Sequence, residues 1–407
     1  MTDGDASGEQ ELIRYGVIGT GMMGVEHIQN VLAMEGAAVT AVSDPNPQSQ
    51  EWARIAVRTW FDQVRHQATL VGKGDGAPVD PHELAVFDDH VAMLDSGLVD
   101  AVVIASPNFT HVDILLDVID RPIHALVEKP LCTTLEDCRR VVEAAEAAKE
   151  RFPDRVIWMG LEYRYMPPIK RLLAEVDAGT VGDPRMVAIR EHRFPFLDKV
   201  DNWNRFNRNT GGTLVEKCCH FFDLMLQVID AKPVRVFASG AQDVNHLDEQ
   251  YDGETPDIID NAYVVVDYDN GARSLLDLCM FAEASKNERE ISVAGPAGKL
   301  EALDTESLIR IGRRTDDIVS GINVVTEEKV IDRSIKHVGL HHGASYLEHV
   351  DVLDAIRDAN RTGTAEVPVT LLDGLKSAAI GFAAHRSIET GVPVDLDSLP
   401  ELAGIDW

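Results

Sequence analysis

Three short segments carry side chains that could act together on a C–H and an O–H bond. The first is Glu128-Lys129-Pro130, which ends the apolar run Ile123 to Val127. A lysine there can donate a hydrogen bond to a hydroxyl or carbonyl oxygen, or help manage its proton; otherwise it caps a carbonyl at the surface. The second is Ser106-Pro-Asn-Phe-Thr-His111, after the apolar run Asp100 to Ala105. Its polar side chains, Ser106, Asn108 and His111, are expected to face a cleft, and His111 reads equally well as part of an ordinary turn. The third is Gly211-Gly212-Thr-Leu-Val-Glu216-Lys217-Cys218-Cys219-His220-Phe-Phe-Asp223. If a helix starts at the glycine pair, Glu216 and His220 are four apart and share a face. A carboxylate beside an imidazole orients it and adjusts its pKa, as an acid/base that takes a hydroxyl proton requires. The alternative is a plain Glu–His polar network. Adjacent helical residues point apart, so Cys218, Cys219 and His220 read as buried side chains rather than metal ligands.

What must position these groups is legible nearer the start. Arg14-Tyr-Gly-Val-Ile-Gly-Thr-Gly-Met-Met-Gly24 is a short apolar run ending in Gly19-x-Gly21-x-x-Gly24. Gly19 allows the tight turn, Gly21 lets a pyrophosphate approach the backbone, and Gly24 lets a helix pack close to the strand. The amides of Met22 and Met23 then sit at a helix N-terminus, which favours an anion. Asp44 follows Gly24 by 20 residues, at the end of Ala38 to Ser43. A carboxylate there accepts both ribose hydroxyls and repels a 2′-phosphate, and no Arg or Lys follows in Pro45 to Ser49. Strand, glycine turn, helix, strand and acid together predict a dinucleotide site that takes NAD in preference to NADP. The two loops above would then face its nicotinamide end, with Glu128 among the groups on the cofactor.

At 407 residues the chain has ample length for two domains. A formal net charge of −30 argues against nucleic acid and anionic membranes as partners. The five cysteines have no disulfide or zinc spacing, which fits a reduced, cytoplasmic setting. Residues 1–13 read as a short, acidic, disordered tail with no signal-peptide pattern.

Residues 14–160 alternate β-branched runs with helical stretches, the pattern of a parallel sheet buried on both faces. An insertion at about 60–85 includes the loop Gly72 to Pro78. It either shapes the adenosine end of the cleft or a subunit contact, or is a solvated excursion. Leu135 to Lys149 predicts a helix capped by Thr134. In residues 161–407 strands come in succession: 185–190, 234–239, 262–268, 274–280 and 290–293. That pattern suggests a largely antiparallel open sheet with helices on one face. Helix returns from about 341 to 391, broken at Pro368. The fold class is thus α/β, a Rossmann domain followed by an α+β domain.

With these segments in hand, the chain resembles the Gfo/Idh/MocA oxidoreductases, named for glucose–fructose oxidoreductase and inositol dehydrogenase. The resemblance runs from Tyr15 to about Leu396 and rests on the glycine fingerprint, Ser106 to His111, Glu128-Lys-Pro130, and Gly211-Gly212…His220-x-x-Asp223. It implies an NAD(P)-dependent oxidation or reduction of a sugar or cyclic polyol, and a homo-oligomer joined through the second domain's sheet. It puts Lys129 in the place of the family's catalytic lysine and His220 in that of its acid/base histidine. The residue four before that histidine is usually Asp; here it is Glu216, longer by one methylene. Lys217 beside it is also unusual. Arg164 matches an arginine common at the start of the second domain, placed to contact cofactor or substrate or, equally, to form a structural ion pair. Trp203 and Arg205 are placed to line a pocket, and His342, in Gly339-Leu-His341-His342-Gly343, lies in a loop that approaches substrate in some members. Two other readings remain open: a glycoside hydrolase that retains NAD, and a non-catalytic NAD-binding sensor. Keeping both Lys129 and His220 argues against the sensor.

Overall fold

The computed structural model describes residues 11–71, 83–314 and 324–407. The tail residues 1–10 and the loop Gly72 to Pro78 lie outside the described residues. The first sheet has the parallel order β3-β2-β1-β4-β5-β6. It is built from β1 (Ile13–Ile18), α1 (Met22–Leu32), β2 (Ala37–Ser43), α2 (Pro47–Val71), β3 (Ala85–Phe87), α3 (His90–Leu94), β4 (Ala101–Ile104), α4 (His111–Ile119), β5 (His124–Glu128), α5 (Leu135–Ala148) and β6 (Ile157–Gly160). β1 begins one residue inside the stretch expected as tail.

Strands β4 and β5 are buried along their whole length, because helices cover both faces of a parallel sheet. Each fully buried Val or Ile there contributes roughly 1.5–3 kcal/mol. The order reverses between β1 and β4, so a crevice opens at the carboxyl ends of those strands. The glycine turn after β1 and the 106–111 loop after β4 meet in that crevice. The side chain of Thr134 caps α5 as expected, accepting from the Asp137 amide.

The second sheet has nine strands in the order β14-β13-β12-β11-β7-β10-β9-β8-β15. Its elements are α6 (Pro167–Asp177), β7 (Met186–His192), α7 (Asn207–Thr210), α8 (Thr213–Glu216), α9 (Cys219–Val228), β8 (Pro233–Ala241), β9 (Asn261–Tyr268), β10 (Arg273–Cys279), β11 (Arg289–Gly295), β12 (Gly298–Leu303), β13 (Leu308–Arg313), β14 (Val324–Lys329), α10 (Ala344–Thr362), α11 (Leu371–Thr390) and β15 (Val394–Asp395). All its pairings are antiparallel except β7 with β10. Strands β8 to β10 alternate buried and exposed residues, the signature of a sheet with one covered face.

The two sheets are not independent units. A Cβ at Gly374 of α11 would lie 2.7 Å from Met159 Sδ in β6, so that glycine allows the helix to sit directly on the first sheet. The His349 ring of α10 meets His27 of α1, 2.8 Å apart. These contacts fix the second sheet's helices against the crevice.

Candidate active site

A cavity of about 1580 Å³ runs along the crevice. One end is lined by Asp44, Ser49, Trp52 and Ile55. The last three belong to the first turns of α2, ahead of the insertion expected at about 60–85, and no residue of that insertion lines the cavity among the described residues. The other end is lined by Lys129, Glu216, Lys199 and Trp203.

The three fingerprint glycines meet three different demands. Gly19 has φ +84°, and a Cβ there would lie 2.5 Å from the Ser106 backbone. A Cβ at Gly24 would lie 2.0 Å from the Gly19 carbonyl oxygen. At Gly21 a Cβ would meet no protein atom within 4 Å; its open side is the cavity. No side chain caps α1 at Gly21, which leaves first-turn amides for an anion. Asp44 is buried, and its carboxylate accepts from the Thr20 amide at 2.7 Å and the Asn46 amide at 2.8 Å. Those bonds, with a longer one from the Thr20 hydroxyl at 3.2 Å, hold the carboxylate at the cavity wall; a ribose hydroxyl can take the free acceptor site and a second can replace the Thr20 hydroxyl. Asn108 lines the cavity with a buried, unpartnered side-chain NH₂. An anion-binding turn, a diol acceptor and a spare amide donor fit a nicotinamide dinucleotide.

Ser106 also lines the cavity, its hydroxyl 2.7 Å from that of Thr110. His111 does not. Its ring is fully buried, with Nδ1 2.9 Å from the Pro130 carbonyl and Nε2 3.1 Å from the Ser106 carbonyl. It ties the two loops together instead of facing the cofactor, which corrects its expected role. Glu128 accepts from the Lys129 amide at 3.0 Å and from His27 Nε2 at 2.9 Å. Burial is the largest single influence and raises its pKa; the His27 hydrogen bond and the surrounding positive charge, Lys129 included, together outweigh it and hold the carboxyl at about 2.

The Lys129 ammonium donates to the Glu216 backbone carbonyl at 3.1 Å. Burial pulls its pKa down, but surrounding carboxylates, Glu128 foremost, hold it above the usual lysine value. Glu216 points into the same space with an unpartnered buried Oε2. Burial raises its pKa, against the pull of Lys129 and Lys199.

The expected Glu216–His220 pairing does not form. The helix is interrupted at Lys217 and Cys218, between α8 and α9, and four-residue spacing sets a shared face only in an unbroken helix. The carboxylate nearest His220 is Glu162, 3.4 Å from Nε2, and Glu162 is also 3.5 Å from His341 Nε2. Burial, followed by the Glu128 charge, pushes Glu162 up to about 8. Burial, followed by the Lys129 charge, holds His220 well below the usual histidine range, so it is neutral at pH 7. His220 is a buried layer behind the cavity wall. Lys217 is buried too, donating to the Tyr163 hydroxyl at 2.6 Å and pairing with Glu191 at 3.1 Å. Cys218 and Cys219 are buried as expected.

Of the expected substrate residues, Trp203 lines the cavity, edge-on to Phe109 with ring centroids 6.3 Å apart. Arg164 is a structural ion pair, bidentate on Asp223 at 2.7 and 2.5 Å. Arg205 is also corrected: it is 1% exposed and pairs with Asp198 at 2.6 Å and Glu249 at 2.9 Å. His342 is exposed at φ +55°. Of its neighbours, Leu340 lines the cavity and His341 lies beside Glu162. Two functional candidates were missed. Glu162 follows the last strand of the first sheet, a position that could have signalled it. Lys199 sits in a loop with no motif around it.

Comparison with known proteins agrees with this geometry. Residues 13–153 match the model of the oxidoreductase family's NAD-binding Rossmann fold, and residues 174–396 that of its C-terminal alpha/beta domain. The chain belongs to the Gfo/Idh/MocA oxidoreductase family. As a member of that family it is an NAD-dependent oxidoreductase, with the expected Rossmann-plus-α/β architecture. It is 27% identical over 393 residues to myo-inositol 2-dehydrogenase of Thermotoga maritima, covering 95% of this chain and 99% of that one. It is 25% identical over 390 residues to scyllo-inositol 2-dehydrogenase (NAD(+)) of Bacillus subtilis, covering 95% and 96%. Among solved structures, levoglucosan dehydrogenase in complex with NADH superposes with TM-score 0.76 at 17% identity, covering 95% of this chain and 99% of that one.

Proposed function

We infer that this Gfo/Idh/MocA protein oxidises a secondary hydroxyl of a sugar or cyclic polyol, an inositol being the type compound. The observation that carries the reading is the convergence of Lys129 and Glu216 at the end of the cavity away from Asp44. NAD, when bound, supplies the acceptor for the hydride that leaves the substrate's carbon. Lys129 donates a hydrogen bond to the reacting hydroxyl oxygen and steadies negative charge there. Glu216, a carboxylate made more basic by burial, takes the hydroxyl proton. Neutral His220, with Glu162 and Tyr163, holds the floor behind them. The whole-length similarity to inositol dehydrogenases supports the substrate class.

Residues 14–160 form the cofactor unit in this reading and 161–407 the substrate and subunit unit. The outer face of the nine-stranded sheet exposes Met186, Phe237, Tyr263 and Leu275. Such a face fits a second copy of the chain. No helix among the described residues is long and apolar enough to cross a membrane, and the free cysteines suit a reducing, cytoplasmic setting. The test is nicotinamide reduction in a panel of inositols, aldoses and sugar acids, with chromogenic glycosides run alongside. Reduction by at least one class supports the reading. Aglycone release without net nicotinamide turnover would replace it with hydrolysis.

A further inference from the structure

Lys199 lines the cavity beside Lys129, Glu216 and Trp203. Among the described residues, no hydrogen bond or ion pair engages its ammonium. The acid next to it in sequence, Asp198, is spent on Arg205 at 2.6 Å. Glu216 offers Lys129 its backbone carbonyl, and its carboxylate forms no ion pair with Lys199. The segment is pinned rather than loose. Buried Arg205 anchors it on both Asp198 and Glu249. Asp201 and Asn202 take φ +54° and +49°, left-handed values that Asp and Asn adopt more readily than other non-glycine residues.

We propose that Lys199 recognises the substrate, and that this substrate carries a carboxylate close to the carbon that reacts. The proposal rests on the oxidoreductase reading above and narrows its substrate class to sugar acids and cyclic polyol acids. Lys199 is half-buried, and two ammonium groups at one end of a cavity repel each other and lose part of their hydration. Burial pulls the Lys199 pKa below the ordinary lysine value; nearby Glu216 opposes this and Lys129 adds to it. With Lys129 engaged on the reacting hydroxyl, a neutral polyol gives the Lys199 ammonium no ion-pair partner, Glu216 lying near it without contact. A carboxylate neutralises it through a charge-assisted hydrogen bond. The phosphates of a dinucleotide belong elsewhere, at the open side of Gly21 and the start of α1.

The experiment is calorimetric titration of the NADH-loaded enzyme with two matched pairs, D-glucose with D-glucuronate and myo-inositol with quinate. Wild type is compared with Lys199→Met and Lys199→Arg. At least one acid is expected to bind the wild type roughly tenfold more tightly than its neutral counterpart. Lys199→Met is expected to remove that advantage while neutral-ligand binding changes by less than about threefold, and Lys199→Arg to restore part of it. Equal losses for acid and neutral ligand, or no preference for either acid in the wild type, would overturn the proposal. So would NADH binding weakened about tenfold in Lys199→Met, which would assign the lysine to the cofactor. Lys199-dependent acid binding without NAD reduction by any of the four compounds would sink the oxidoreductase reading of the substrate and leave this site standing.

Discussion

The His220 imidazole lies flat on the Tyr163 ring, with centroids 4.0 Å apart and planes 6° from parallel. The Tyr163 hydroxyl accepts from Lys217 at 2.6 Å and from Arg289 at 3.2 Å. The tyrosine therefore stands between the imidazole and two buried cations, and their charge adds to burial in keeping His220 neutral. Tyr163→Phe keeps the stacking ring but strips an acceptor from both cations. It should cost roughly 1–3 kcal/mol of stability, read from urea unfolding. An unchanged midpoint would mean that the hydroxyl is not part of the network.

Lys129→Met should lower turnover by about 10²–10⁴-fold, the usual worth of a positioned proton-handling group. NADH affinity, followed by fluorescence titration, should stay within about threefold, because the phosphate and ribose contacts lie at the other end of the cavity. A parallel loss of cofactor affinity would move Lys129 from the substrate to the cofactor.

Asp44→Ser removes the acceptor for two ribose hydroxyls. NADH affinity should fall roughly 10–100-fold while NADPH affinity is unchanged or improved. The carboxylate also accepts the Thr20 and Asn46 amides, so the melting temperature should be recorded alongside. Equal losses for both cofactors would remove Asp44 as the discriminating group.

Glu162 sets a stability dependence with a definite sign. Its folded pKa, about 8, lies above the ordinary 4.5. The native state therefore binds the proton more tightly than the unfolded state. The stability it contributes is full below about 4.5 and declines as pH rises toward 8. Glu162→Gln should flatten this slope, so its unfolding free energy relative to wild type should improve between pH 5 and 8. A relative stability that falls over that window would show that the folded carboxyl ionises readily.

Much of this was legible in the sequence, for reasons tied to particular residues. The glycine fingerprint and Asp44 declare themselves because backbone geometry dictates residue type there. Lys129 was legible because it ends a buried strand at the crevice edge. Strands β12, β13 and β14 were not assigned, since their residues mix charge with apolar side chains and β14 is exposed along its length. The His220 environment was misjudged because a break at Lys217 and Cys218, invisible in spacing alone, turns Glu216 and His220 apart. His111 and Arg205 share one lesson: a polar residue in a cleft loop is often spent holding the loop, whereas His342 turns to solvent. Lys199 comes into the site only through tertiary packing of the loop between β7 and α7.

The most direct measurement is the initial rate of NAD reduction with the best compound of the substrate panel, for wild type, Lys129→Met, Glu216→Gln and His220→Asn at matched cofactor saturation. Loss of about 10²-fold or more in both Lys129→Met and Glu216→Gln, with a smaller loss in His220→Asn, is the predicted result. Full activity in Glu216→Gln together with inactivity in His220→Asn would contradict it, and would return the proton-accepting role to the histidine.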